Sequence, residues 1–228
     1  MKDKLGIIGG VGSKASAYFY DMILDNTKVN KDQDHINMII LNHATIPDRT
    51  SYILDNTKEN PLKALKEDVK LLNKLGCKMI AIPCNTSCYF HESLQRKSKI
   101  PVNNMVEDTI NYLKNKGVKT VYILATTGTV SSSLYQNACL KFGLDYRIPT
   151  KDNQELVMST IYDDIKCGKK VDINKWNKII EGASEEAIIL GCTELSILKK
   201  ELKLESNYID PLEIQTDIIL KYFNKEHI

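Results

Sequence analysis

Short apolar runs alternate along this chain with longer amphipathic stretches. In the longer stretches apolar residues recur roughly every three to four positions, which is typical of helices that cover a sheet. The apolar runs predict strands at 5–9, 36–41, 79–83, 120–125, 187–190 and 208–210. The stretches between and after them predict helices at 15–26, 62–75, 86–96, 106–115, 133–142, 154–166, 174–182 and 212–224. This alternation predicts an α/β fold of mainly parallel sheets flanked by helices.

A weak internal repeat divides the chain into two similar halves. Residues 5–12 and 121–128 both read as a strand followed by a loop of small residues, and each half then reaches a cysteine at a strand end. We therefore expect two similar α/β lobes with the active site in the cleft between them. The first lobe is predicted at 1–101 and the second at 102–211, with the C-terminal helix, 212–228, returning to the first lobe.

Composition narrows the class of protein. The chain has 228 residues, 43% of them hydrophobic, and a formal net charge of only +2 with lysines and acids interspersed. It lacks the clustered basic surface of a nucleic-acid-binding protein and any apolar run of membrane-spanning length, so we expect neither kind of partner. Six cysteines without the long apolar segment of a signal peptide favour reduced thiols and a cytoplasmic location.

Two cysteines stand in matching positions. Cys84 follows the apolar run 79–83 and Cys192 follows the run 187–190, so each thiol falls at the carboxyl end of a predicted strand. α/β proteins bind ligands at that edge of the sheet, and a helix N-terminus favours a thiolate. The next residues, Asn85-Thr86 and Thr193-Glu194, can bind a carboxylate or an ammonium group. The pair predicts a two-sided reaction, the alternative being two inert buried thiols.

A glycine loop follows the first strand. Gly10 and Gly12 fit the pattern G-x-G-x-x-A, but the second strand ends in Leu41-Asn42-His43 and offers no acidic residue for a ribose. This disfavours a dinucleotide site, and the Gly-Lys-Ser/Thr ending of a P-loop is also missing. The remaining interpretations are a group of backbone amides that holds a carboxylate, or simply a tight turn.

A possible metal motif is weak. Cys84, Cys88 and His91 share one predicted helix, and no second ligand pair follows at zinc-finger spacing, so we expect no metal. Cys88 is interpreted as a core contact at helical spacing. His91 is interpreted as a packing or surface residue.

Arginine is rare in this chain, with only Arg49, Arg96 and Arg147 among the 31 basic residues. Arg49 lies in a loop after the second strand, at the sheet edge where the thiols are expected, and its planar fork suits a carboxylate. The alternative is an ordinary surface turn, because Pro47-Asp48 is common turn chemistry. Lys166 closes a predicted helix, where a lysine also complements the helix dipole.

In combination these motifs resemble the aspartate/glutamate racemase family of cofactor-independent amino-acid racemases, most of all its aspartate racemase branch. The matching segments are 5–12, 46–50, 83–86, 127–129, the helix that ends at Lys166, and 191–195. The resemblance implies that Cys84 and Cys192 are the catalytic thiols, and that Arg49 and Lys166 recognise an acidic substrate. The other substrate-binding residues that it implies are Gly10, Val11, Gly12, Asn85, Thr86, Thr127, Thr193 and Glu194.

The implied activity is cofactor-independent racemisation of aspartate or glutamate, in which one thiol removes the α-proton and the other returns a proton to the opposite face. The resemblance also implies a homodimer. Glu194 stands where glutamate racemases carry histidine, which favours the aspartate branch. Val11, Ser13 and Cys88 depart from the family's usual residues and affect the shape of the pocket. The alternatives are a maleate isomerase-like enzyme, a broad-specificity amino-acid racemase, and a non-catalytic amino-acid sensor.

Overall fold

The protein consists of two parallel sheets flanked by helices. Its structure is a computed structural model, which describes residues 3–183 and 186–228. The first sheet has the order β2-β1-β3, with β1 at Lys4–Gly9, β2 at Asn37–Asn42 and β3 at Cys77–Ala81. The second has the order β5-β4-β6-β7, with β4 at Thr120–Ala125, β5 at Asp145–Arg147, β6 at Ala187–Gly191 and β7 at Tyr208–Ile209. The predicted α/β class is confirmed. Residues 1, 2, 184 and 185 of the two predicted lobes lie outside the described residues.

The helices cover both faces of these sheets. They are α1 (Ser13–Asp25), α2 (Arg49–Leu54), α3 (Leu62–Lys74), α4 (His91–Gln95), α5 (Met105–Asn115), α6 (Thr127–Ser131), α7 (Leu134–Phe142), α8 (Lys151–Ser159), α9 (Ile173–Ile179), α10 (Thr193–Leu202) and α11 (Pro211–Tyr222). Among the described residues, none of the helices has both the length and the apolar character needed to cross a membrane.

Several elements differ from the prediction. The short helices α2 and α6 and the short strand β5 were not predicted, and neither was α10, although a helix start was expected at Cys192. The predicted helix 154–166 is α8 followed by a π-helical segment at Thr160–Ile165, and the predicted helix 86–96 begins as a 3₁₀ segment at Thr86–Phe90. π-helical turns are uncommon and often lie at functional sites, and this one ends beside Lys166.

The C-terminal helix packs on the first sheet. Leu212, Ile219 and Leu220 of α11 share a buried cluster with Leu5 and Ile7 of β1. A second cluster joins β4, β6, the π-helical segment and α9 around the fully buried Trp176. The apolar faces of α11 thus complete the core beneath β1.

A buried carboxyl group caps α11. The Oδ1 atom of Asp210 accepts hydrogen bonds from the Ser196 hydroxyl at 2.7 Å and the Leu212 backbone N–H at 2.8 Å. The Oδ2 atom is buried without a partner among the described residues. Burial raises the pKa of Asp210 to about 7, the nearby Glu213 charge adds to this, and the two hydrogen bonds oppose it. At neutral pH and above, folding therefore places a charge in the core.

This carboxyl group predicts a pH-dependent effect of Asp210→Asn. Between roughly pH 4 and pH 7 the folded state holds a proton that the unfolded state releases, so this group's contribution to stability falls as the pH rises. Asparagine keeps the capping oxygen and carries no charge. We expect the variant to gain melting temperature relative to the wild type between about pH 5 and about pH 8. The same difference at both pH values would contradict this. The control is Asp21→Asn, at an exposed position of α1.

Candidate active site

Both cysteines lie at carboxyl ends of strands and line the same cavity. Cys84 follows β3 and precedes the 3₁₀ segment, whereas Cys192 follows β6 directly and is the N-cap residue of α10. Each side chain is 7% exposed. The cavity is small, with a volume of about 20 Å³, which is room for about one water molecule. Its lining, drawn from both lobes, is Val11, Asp48, Arg49, Thr50, Cys84, Asn85, Thr86, Thr126, Tyr162, Lys166, Cys192, Thr193 and Glu194.

Cys192 is hydrogen-bonded to a carboxylate. Its Sγ atom donates to Oε2 of Glu194 at 2.9 Å, and both residues are buried. Burial raises the pKa of Cys192 well above its usual value, the charge and hydrogen bond of Glu194 raise it further, and the Lys166 charge opposes the shift. Cys192 is therefore held as a thiol whose proton points at Glu194. No such partner is found for the Cys84 sulfur among the described residues, so the two thiols differ.

Gly12 makes room for that carboxylate. This residue has a φ of 118°, in the region that favours glycine, and a Cβ atom there would lie 3.1 Å from Oε1 of Glu194. The glycine loop therefore contributes to the site as space for Glu194. The backbone N–H of Gly10 donates to Ser16 Oγ in the first turn of α1 at 3.3 Å.

Lys166 brings a positive charge to the rim. Its Nζ atom lies 3.9 Å from the centre of the Tyr162 ring, four residues earlier on the π-helical segment. Burial alone would lower the pKa of this ammonium group, but the Glu194 carboxylate, Tyr162 and the two thiols together raise it. Lys166 stays charged and offsets part of the negative charge of Glu194.

Arg49 lies buried against its own loop. Its Nη1 atom donates to the carbonyl oxygens of Pro47 at 3.0 Å and Ile46 at 3.3 Å, while Nε is buried without a partner among the described residues. Asp48 caps α2 through a 2.7 Å bond from the Ser51 backbone N–H, which fixes the first turn that carries Arg49. The guanidinium group is thus held at the cavity wall with an unused donor.

Four threonine hydroxyls connect the two lobes beside the cavity. Thr86 of the first lobe bonds Thr129 at 2.9 Å and Thr126 at 3.1 Å, and Thr50 bonds Thr126 at 3.4 Å. Gly128 permits this approach, since a Cβ atom there would lie 2.9 Å from Thr50 Cα. These hydroxyls hold α2 and the Cys84 turn against α6.

Three of the residues implied as substrate-binding are not part of the cavity wall, namely Gly10, Gly12 and Thr127. Thr127 lines a neighbouring, more open cavity with Met158, and its predecessor Thr126 lines the cysteine cavity instead. The cause is the N-cap position: Thr126 directly follows β4 and its Oγ1 accepts from the Thr129 backbone N–H.

The sequence also contains signals for other residues of the cavity wall. Thr126 is the first residue after a predicted strand. Tyr162 precedes Lys166 by one helical turn and so shares its face. Asp48 and Thr50 flank Arg49 in the loop that was singled out.

Cys88 and His91 lie outside this cavity. Burial raises the pKa of the Cys88 thiol to about 12, so it stays protonated. His91 Nε2 lies 2.8 Å from the Val102 carbonyl oxygen. Within the described parts of the chain, no group of three or more His, Cys, Asp or Glu side chains could hold a metal ion.

Known proteins resemble this chain in sequence and in fold. RacX of Bacillus subtilis (strain 168), a broad specificity amino-acid racemase, is 28% identical over 90% of this chain and 92% of its own length. The glutamate racemase of Buchnera aphidicola is 29% identical over 90% of this chain and 82% of its own. The Picrophilus torridus aspartate racemase superposes with a TM-score of 0.87 at 28% identity, over 99% of this chain and 96% of that one.

A family profile extends the similarity beyond single relatives. The profile of the Asp/Glu/Hydantoin racemases matches residues 8–218. That span contains both cysteines, Arg49, Lys166 and Glu194, and confirms the family inferred from the sequence motifs. The chain belongs to the Asp/Glu/Hydantoin racemase family.

Proposed function

We propose that this racemase interconverts the enantiomers of an acidic amino acid, aspartate or glutamate, with Cys84 and Cys192 as its two acid–base groups. The observation that carries the proposal is a small cavity lined by one thiol from each lobe together with a buried arginine and a lysine. A thiol on either side of an α-carbon can remove a proton from one face and supply one to the other. The two cations suit a substrate with two carboxylates.

The reaction requires one thiolate and one thiol at the moment of proton transfer. The thiolate takes the α-proton, so a C–H bond breaks and an S–H bond forms, and the electron pair stays on the α-carbon. The opposite thiol then gives its proton to the other face and becomes the thiolate. The roles of Cys84 and Cys192 are exchanged after one turnover, and the reverse reaction uses the exchanged form.

Glu194 supplies the proton acceptor that lets Cys192 act as a base. The proton of Cys192 passes to Oε2 of Glu194 across the 2.9 Å contact. The thiol then becomes a thiolate and the carboxylate becomes a carboxylic acid, so the total charge of the pair does not change. The carboxylic acid then holds this proton during the chemical step. This role differs from the substrate contact first expected of Glu194.

Donors in the cavity complete the site. The negative charge that develops on the α-carboxylate needs fixed donors around it, because no electron sink is proposed. The Asn85 amide is buried with its Nδ2 atom unpartnered among the described residues, and Thr193 lines the same wall. Arg49 and Lys166 are assigned to the side-chain carboxylate, the first as a bidentate fork and the second as a point charge.

The proposal is tested by polarimetry of the purified protein with L-aspartate, L-glutamate, L-alanine and, by absorbance, maleate. Loss of optical rotation with aspartate or glutamate supports it. Equal rates with alanine would instead indicate broad specificity, the activity named for the Bacillus subtilis relative. Conversion of maleate alone would indicate an isomerase, and binding of amino acids without any turnover would indicate a sensor.

Arg49→Ala is expected to lower kcat/KM for the acidic substrate by about tenfold to a hundredfold, because a charged hydrogen bond contributes about 1.5–3 kcal/mol. The loss should lie mainly in KM. Steady-state kinetics with both acidic amino acids measure it. Arg96→Ala is the control, since that arginine is exposed, pairs with Glu92 and Ser93, and does not line the cavity. Wild-type turnover of aspartate by Arg49→Ala would contradict the assignment of Arg49 to the side-chain carboxylate.

A further inference from the structure

One buried tyrosine contacts both thiol turns. Tyr135 lies on α7 in the second lobe and is 0% exposed. Its hydroxyl reaches Asn85, the residue after Cys84, and its ring packs against Gly191, the residue before Cys192. Residues from separate lobes and opposite walls thus share one rigid aromatic side chain.

The hydroxyl determines which way the Asn85 carboxamide faces. Tyr135 donates to Oδ1 of Asn85 at 2.5 Å, a short hydrogen bond in a fully buried setting. With its oxygen engaged in this way, the carboxamide presents its Nδ2 donor elsewhere, and that atom has no partner among the described residues. Because Asn85 also lines the cavity, the free N–H groups are available to a bound carboxylate.

The ring determines the position of the other turn. A Cβ atom on Gly191 would lie 2.9 Å from Tyr135 Cε2 and 2.9 Å from Ala125 Cβ, so the backbone of β6 runs directly against the ring. Glycine at this position lets the strand end pack that closely. A small shift of the ring would therefore move the backbone that carries Cys192.

We propose that Tyr135 is a positioning residue of the active site, which orients Asn85 as a carboxylate donor and fixes the spacing between the two thiol turns. The inference rests on the proposed function, since it assigns Asn85 to the substrate carboxylate. Tyr135 does not line the cavity and acts only through its neighbours. Its hydroxyl and its ring have separable effects, because Phe keeps the ring and removes only the hydroxyl.

The test is a double-mutant cycle of Tyr135→Phe and Asn85→Ala. We expect Tyr135→Phe alone to lower kcat/KM for the acidic substrate about tenfold, mainly through KM, because Asn85 loses the bond that fixes its orientation. In the Asn85→Ala background the same substitution should change kcat/KM less than about twofold, since the residue through which it acts is gone. A full tenfold loss in both backgrounds would overturn the proposal.

Tyr122→Phe is the matched control. Tyr122 is another buried tyrosine of the second lobe, and its hydroxyl donates to the Ile179 carbonyl oxygen at 3.4 Å, away from the cavity wall. Kinetics equal to the wild type are expected for it. Melting temperatures of all variants separate lost stability from lost positioning, and an equal kinetic loss in Tyr122→Phe would overturn a specific role for Tyr135.

A second readout separates this inference from the proposed function. Iodoacetamide alkylates accessible thiolates, and bound L-aspartate should protect them without any turnover. If aspartate protects the wild type from alkylation but is not racemised, the proposed function is contradicted. The double-mutant cycle of Tyr135→Phe and Asn85→Ala would then still test Tyr135, with the aspartate concentration needed for protection as the measured quantity. A Tyr135→Phe variant that needs no more aspartate than the wild type would overturn the inference.

Discussion

Cys84→Ser and Cys192→Ser are each expected to abolish racemisation, with losses of at least about a hundredfold, the lower end of what a positioned acid or base contributes. A serine hydroxyl is far less acidic than a thiol, so it cannot become the base that the reaction needs. The remaining cysteine of each variant still faces one side of the α-carbon. Each variant should therefore exchange the α-proton of one enantiomer with solvent, and the two variants should act on opposite enantiomers.

Polarimetry measures racemisation, and NMR in D₂O measures exchange of the α-proton for each enantiomer. Cys167→Ser is the control, because this cysteine is exposed, next to Lys166, and does not line the cavity. It should keep wild-type rates. Wild-type racemisation by both single-thiol variants would exclude the two-thiol mechanism.

Glu194→Gln is expected to make Cys192 easier to ionise and yet slow the enzyme. The carboxylate raises the pKa of Cys192 through its charge and its hydrogen bond, so a neutral amide should move the pH midpoint of Cys192 alkylation downwards. The amide cannot take the thiol proton, and kcat/KM should fall about a hundredfold, as for the loss of an acid–base group. Iodoacetamide rates against pH, measured in a Cys84→Ser background with the modified residue identified by mass spectrometry, give the first effect.

The opposite directions of these two effects identify the role of Glu194. If Glu194 only bound the substrate ammonium group, Glu194→Gln would raise KM and leave the pH midpoint of Cys192 alkylation unchanged. Glu194→Asp keeps a titrating group and should recover part of the activity. Glu201→Gln, at the exposed end of α10, should change neither quantity.

The positions of the two cysteines could be predicted because they depend on local patterns. The last residue of each apolar run can be identified in the sequence, and parallel strands bring their carboxyl ends to one edge of a sheet. Arg49 was singled out by its rarity, and the structure places it on the cavity wall. The family could be inferred for a similar reason, since its motifs are short segments of consecutive residues.

Contacts between distant residues could not be predicted. Tyr135 and Asn85 are separated by 50 positions, and nothing in either segment indicates the other. Thr127 was implied by the resemblance, and the structure places Thr127 on a neighbouring cavity and its predecessor Thr126, the N-cap residue of α6, on the wall of the cysteine cavity. The bond between Cys192 and Glu194 depends on side-chain rotamers, which composition and periodicity do not define.

The packing of α11 on β1 also bears on how the chain folds. Leu212, Ile219 and Leu220 share a buried cluster with Leu5, which lies about 200 positions earlier in the chain. Contacts of such large sequence separation form late, because closing a loop this long has an entropic cost that local contacts do not. Part of the apolar surface of β1 and α1 is therefore expected to stay uncovered until α11 docks. Because α11 also packs against α5 of the second lobe, its docking helps to fix the spacing of the two lobes that hold the thiols.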